Sequence, residues 1–83
     1  MKILYFAWVR EKVGLAEETV QPPAHVATVS DLIDWLKSRG AEYENAFAQA
    51  KVIRVALDQM HVAHGAKLGA AREVAFFPPV TGG

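Results

Sequence analysis

Eighty-three residues make one small domain, near the size at which a single core only just suffices. An apolar fraction of 52% argues for a packed core rather than disorder. Nine basic and nine acidic residues cancel, which leaves no basic field for nucleic acid and no polybasic segment for a membrane surface. The absence of cysteine excludes disulfides, a thiolate nucleophile and thiolate metal sites. No apolar run approaches a bilayer span and Met1-Lys2 opens no signal peptide, so a cytoplasmic location is expected.

Residues 2–9, Lys-Ile-Leu-Tyr-Phe-Ala-Trp-Val, are aliphatic and aromatic and read as a first strand. Period-two alternation then gives Ile3, Tyr5, Ala7 and Val9 one face, and Leu4, Phe6 and Trp8 the other. Both faces are apolar, so one is expected to be core and the other an interface. Arg10 to Gly14 suits a helical turn or a connection. Residues 17–21 read as a second strand, stopped by Pro22-Pro23.

Thr28 opens the clearest helix, because it can cap while Asp31, three residues on, completes a capping-box pattern. Val29, Leu32, Ile33 and Leu36 recur at helical spacing and predict one buried stripe, with Trp35 off it. Gly40 is placed to be the residue that ends this helix. A shorter helix is expected over residues 42–50, where Tyr43, Ala46, Phe47 and Ala50 are helically spaced. Residues 52–57 predict a third strand, Asp58-Gln59 a turn and residues 60–63 a short return strand. Residues 64–71, with Gly65 and Gly69, read as a loop, and residues 73–77 as the last strand.

The order suits an α+β domain, with the main helix across one face of a mixed sheet and the last strand beside the first in its middle. The expected division is a folded domain over residues 1–77 and an extended tail over residues 78–83, mobile when free and ordered on binding. Pro78 and Pro79 fix φ and carry the chain out of the sheet in an extended path. The six residues can reach about 20 Å at roughly 3.3 Å each. Gly82 and Gly83 lack Cβ atoms, so they can thread a narrow channel. A carboxylate on Gly83 would be ionised and unreactive at neutral pH, so acyl chemistry there begins with activation, most plausibly as an acyl adenylate. A frayed end is the plain alternative for Gly-Gly alone. The Pro-Pro rod joined directly to an apolar strand favours function.

Histidine suggests metal, but His61 and His64 fall on opposite faces of a strand and no third ligand is placed near them, so no metal is expected. His25 reads as a loop residue.

The terminal octapeptide Phe76-Phe77-Pro78-Pro79-Val80-Thr81-Gly82-Gly83 resembles the signature of the small subunit of molybdopterin synthase. Lys2 to Ala7 followed by Val9-Arg10-Glu11, and Thr28 to Leu32, are similar to the same family's opening strand and helix start. The resemblance implies a ubiquitin-like β-grasp fold of about five strands and a sulfur carrier for molybdenum cofactor biosynthesis. It implies that an adenylating activating enzyme consumes ATP to activate Gly83, and that a sulfur donor protein converts it to a thiocarboxylate. The loaded tail would then enter the large subunit of molybdopterin synthase and give its sulfur to a pterin precursor, the catalytic side chains lying on that subunit. No cofactor is bound permanently. Two small subunits would pair with two large ones.

The implied partner-binding residues are Phe77, Pro78, Pro79, Val80, Thr81 and Phe6, with Trp8 a further candidate on the Phe6 face, and Gly82 and Gly83 carry the chemistry. A terminal thiocarboxylate supplies a sulfur nucleophile without cysteine, in keeping with the composition. Ala71-Arg72-Glu73 departs from the family's usual Gly-Asp-Glu and alters the charge of a surface turn. A carrier for thiamine or tRNA thiolation, and a ubiquitin-like protein modifier, are the alternative readings.

Overall fold

The computed structural model describes residues 1–79. Five strands form one sheet: β1 (Lys2–Tyr5), β2 (Glu17–Thr19), β3 (Arg54–Leu57), β4 (Met60–Val62) and β5 (Glu73–Phe77). Their spatial order is β2-β1-β5-β3-β4, so the last strand occupies the centre. It runs parallel to β1, with Tyr5 opposite Phe76, and antiparallel to β3, with Arg54 opposite Phe77. Three helices complete the domain: α1 (Ala7–Val13), α2 (Val29–Lys37) and α3 (Ala41–Ala46), with a 3-10 turn at Ala50–Val52. This is the mixed α+β sheet expected of a ubiquitin-like β-grasp.

The sheet buries one face. Ile3, Tyr5, Val55, Val74 and Phe76 alternate onto the helical side and join the α2 stripe of Val29, Leu32, Ile33 and Leu36 in a single core. The α2 cap forms as its sequence predicts: Thr28 Oγ1 accepts from the Asp31 amide while the Asp31 carboxylate accepts from the Thr28 amide, each at 3.1 Å. Those bonds, with another from the Ala27 amide, hold the Asp31 carboxyl below its ordinary range. The expected 64–71 loop is strapped to the start of this helix. Val29 and Ser30 amides donate to the carbonyls of Ala66 and His64, and the buried Leu68 returns a bond to Ala27.

The chain departs from its sequence-based reading in three places that matter. The first strand does not continue to Val9. It ends at Tyr5, Ala7 turns the backbone with φ at 51°, and residues from Ala7 onward form α1. Val9 and Val13, four apart, place a helical face in the core, and Gly14 closes the helix in the left-handed conformation at φ 89°. Local strand propensity at Phe-Ala-Trp-Val yields to that packing, because a helix there buries both valines at once. Phe6 and Trp8 therefore share no strand face.

Gly40 is likewise not the residue that ends the main helix. The C-cap of α2 is Ser38, whose amide bonds the Asp34 and Trp35 carbonyls, and Gly40 is extended and precedes α3. The shorter helix expected over residues 42–50, α3, then stops at Ala46, because the chain tightens into the 3-10 turn that delivers Ile53 to the core.

Candidate functional site

β5 determines where the tail begins. Its side chains alternate, Val74 and Phe76 into the core, Ala75 and Phe77 onto the face of the sheet without helices. Phe76 is fully buried, lying stacked over Tyr5 at 6.3 Å between ring centroids and edge-on to Phe47 at 5.0 Å. With a bonded strand on each side as well, the residue before Phe77 is held from four directions. Pro78 and Pro79 leave from this anchor partly exposed. Of the expected site, Val80, Thr81, Gly82 and Gly83 lie outside the described residues.

The structure brings Phe6 and Phe77 together at the root of the tail. The Phe6 amide donates to the Phe76 carbonyl at 3.1 Å, so β1 tracks β5 to its last bonded position. Phe6 is 46% exposed, an unusual degree for a large aromatic next to a core strand. Its own carbonyl accepts from the Val9 and Arg10 amides, starting α1. The left-handed Ala7 is the hinge that turns the chain there. Phe77 is half-buried, with its ring 5.1 Å from that of His61.

Strand register extends this pair into a surface. Leu4, Ala75, Ala56 and His61 stand side by side across β1, β5, β3 and β4, with Phe77 and Arg54 one step nearer the tail. Ala56 and Ala75 are buried yet lie outside the core cluster, as small residues on the helix-free face would. They form a shallow floor between Leu4, Phe77 and His61. Lys2 and Glu17 pair at 3.4 Å at its far edge, both well exposed. The floor suits a partner presenting an apolar surface beside the tail.

Sequence reasoning weighed His61 only as a metal ligand, and its place on this face follows from the pairing of β3 with β4. His64 instead bonds the Ile53 carbonyl through Nε2 at 2.8 Å. Among the described residues no three potential metal ligands converge. No described helix is long and apolar enough to cross a membrane. Trp8 sits apart on α1, under the Lys12 ammonium at 5.3 Å from the ring centroid.

A second polar constellation went unnoticed in the sequence. Glu18 accepts from the hydroxyls of Tyr5 at 2.8 Å and Tyr43 at 2.7 Å, and from Arg39 at 3.0 Å. Arg39 also lies over the rings of Trp35 and Tyr43. Burial alone would raise the Glu18 carboxyl, but the two hydroxyls and the guanidinium together hold it below its ordinary value. Burial, then the carboxylate itself, push Tyr43 up to about 12 and Tyr5 higher still. The four groups tie β1 and β2 to α3 and to the segment that leads into it.

Comparison with known proteins shows the family and the fold. The model of the ThiS family matches residues 3–83. The molybdopterin synthase sulfur carrier subunit of Escherichia coli strain K12 is 36% identical over 83 residues, spanning 100% of this chain and 99% of that protein. Among solved structures, a putative molybdopterin converting factor, subunit 1, from Pyrococcus furiosus is 30% identical with a TM-score of 0.75 over 95% of each chain. The small archaeal modifier protein 1 of H. volcanii is 27% identical with a TM-score of 0.72, over 96% of this chain and 97% of that one.

Proposed function

Because the chain belongs to the ThiS family, we propose that it is a sulfur carrier serving molybdenum cofactor biosynthesis, with Gly83 as the carrying residue. The observation that carries this reading is positional. The central strand ends in Phe77-Pro78-Pro79 beside exposed Phe6, so an apolar docking face and the root of a Gly-Gly tail are one continuous feature. End-to-end similarity to a molybdopterin synthase sulfur carrier subunit supports the pathway.

The chemistry follows from a carboxylate that is inert until activated. An adenylating enzyme joins the Gly83 carboxylate to the α-phosphorus of ATP and releases pyrophosphate. A persulfide on a donor protein then displaces AMP to give an acyl disulfide, and a thiol of a partner cleaves its S–S bond, forming a disulfide with the donor and freeing the thiocarboxylate. The loaded tail enters the large subunit of molybdopterin synthase, where sulfur attacks the pterin precursor, and water restores the carboxylate. The chain contributes presentation: Phe6, Phe77 and the prolines dock, Val80 and Thr81 extend the reach, and Gly82 and Gly83 pass a narrow channel. Catalytic side chains and ATP belong to the partners, in a cytoplasmic assembly of two small and two large subunits.

Likeness to a small archaeal modifier protein favours a second reading, in which the same terminus is joined to lysines of other proteins. Intact-mass spectrometry of the chain purified from cells separates the two. The carrier gains the mass difference of one oxygen exchanged for sulfur, and deleting Gly83 abolishes the gain without lowering the unfolding midpoint. Lysine-linked Gly-Gly remnants on other proteins, with no sulfur on this one, would establish the modifier instead.

A further inference from the structure

On the helical side of the tail root lies a surface distinct from the open sheet face. Trp8 and Lys12 of α1 face Asn45, Gln49 and Val52 across a groove of about 470 Å³. A second depression adjoins it, sharing Gln49 and Val52 and adding Lys37 and Lys51. Among the described residues that line the two, three are lysines and none is acidic. In a chain with nine residues of each sign, that is a local excess of positive charge. At the middle stands Val52, 41% exposed and one of only four large apolar residues so open among the described residues.

The groove also has a position. Arg54 opposes Phe77 in an antiparallel pair, so the chain leaving β5 heads back toward Ile53 and Val52. On its other flank, Phe6 bonds β5 and leads directly into α1. A partner seated here would therefore touch the tail root from the side opposite the open sheet face.

We propose that this groove is a second docking surface, and that its occupant is an acidic peptide segment of a protein partner carrying an apolar side chain onto Val52. An apolar centre ringed by separated cations matches such a segment: the anchor fills the middle and carboxylates meet Lys12, Lys37 and Lys51. Nucleic acid fits less well. The cations sit on three different elements around an apolar middle. Of the two aromatic rings on the wall, Phe47 is fully buried and Trp8 already carries Lys12 over its face where a base would stack. The proposal is independent of what Gly83 carries.

The test is titration of the full ¹⁵N-labelled chain with the peptide Glu-Glu-Leu-Phe-Leu-Glu-Glu, followed by amide and indole resonances. The expected result is saturable movement of the Trp8 indole and the Gln49 and Val52 amides. Affinity should fall at least about tenfold in Lys12→Glu/Lys51→Glu, whose exposed positions leave folding intact. The lysine counterpart of the peptide should move nothing. No saturable shift in the groove, equal affinity in the charge-reversed variant, or stronger movement of the same signals by oligothymidylate would each overturn the proposal.

Discussion

Glu18 shows how one side chain can hold three elements together in a domain too small to waste contacts. It is a β2 residue on a short edge strand, and its carboxylate gathers Tyr5 from β1, Tyr43 from α3 and Arg39 from the connection after α2. Tyr5 is only 1% exposed, so its hydroxyl has no ready access to solvent if that acceptor is removed. Glu18→Ala should cost about 1–3 kcal/mol, the penalty for stranding buried donors, and urea unfolding at pH 7 would measure it. The pH dependence has a fixed sign. The folded carboxyl titrates below its ordinary value of 4.5, so the unfolded chain binds the proton more readily. The contribution is complete above that ordinary value and is lost as pH falls through the lower folded one. Wild-type stability should therefore drop more steeply between neutral pH and pH about 3 than that of Glu18→Gln, which has no carboxylate to protonate. Parallel pH profiles for the two proteins would refute the account.

At the scale of elements, the β3–β4 hairpin carries a correctable defect. Leu57 pairs with Met60, so Asp58 and Gln59 make a two-residue connection, and both are left-handed, at φ 47° and 71°. Such turns match the twist of the strands but favour glycine, because a Cβ crowds the following carbonyl. Asp58 has a compensating role: its carboxylate accepts from the Arg72 and Glu73 amides, each at 3.0 Å, and so fixes the start of the central strand. Both contacts at this turn are made by backbone amides, so neither depends on the side chains of Arg72 and Glu73. Gln59 makes no such bond among the described residues. Gln59→Gly should stabilise by about 0.5–1 kcal/mol, and Asp58→Gly should not, a difference that thermal unfolding would reveal.

The elements also differ in how well the sequence disclosed them. α2 was legible because its cap, stripe and length agree with one another, each local signal pointing to the same helix. α1 was not, because Phe-Ala-Trp-Val has strand propensity and only the tertiary demand to bury Val9 and Val13 decides for helix. The Glu18 constellation was invisible for a related reason: Glu18 lies 13 to 25 residues from each group it gathers, and no local pattern relates it to them.

For the whole molecule, what matters is that one face of the sheet is core and the other is open, and consecutive phenylalanines on β5 divide them. Phe76 is fully enclosed by Tyr5, Phe47 and the helices, whereas Phe77 is half-buried on the open face beside the His61 ring. The sequence placed the last strand in the middle of the sheet and singled out Phe77, since an apolar strand running into Pro-Pro can be read locally. It could not place Leu4, Ala56 and His61 on the same face, because that follows from register. Substitution should separate the two faces. Phe76→Ala removes a ring from the core and should cost about 3–5 kcal/mol of stability, enough to unfold a domain of this size under mild conditions. Phe77→Ala removes a ring from a half-open face outside the core cluster and should leave the urea midpoint nearly unchanged. If that face receives the large subunit, the ring lies near the centre of the contact, beside the tail, where aromatic anchors contribute most. Its loss should then weaken binding by about 2 kcal/mol, or roughly thirtyfold. Calorimetric titration of the large subunit with each variant would decide. Unchanged affinity in a folded Phe77→Ala protein would move the docking surface away from the open sheet face, and a large loss of stability would return Phe77 to the core.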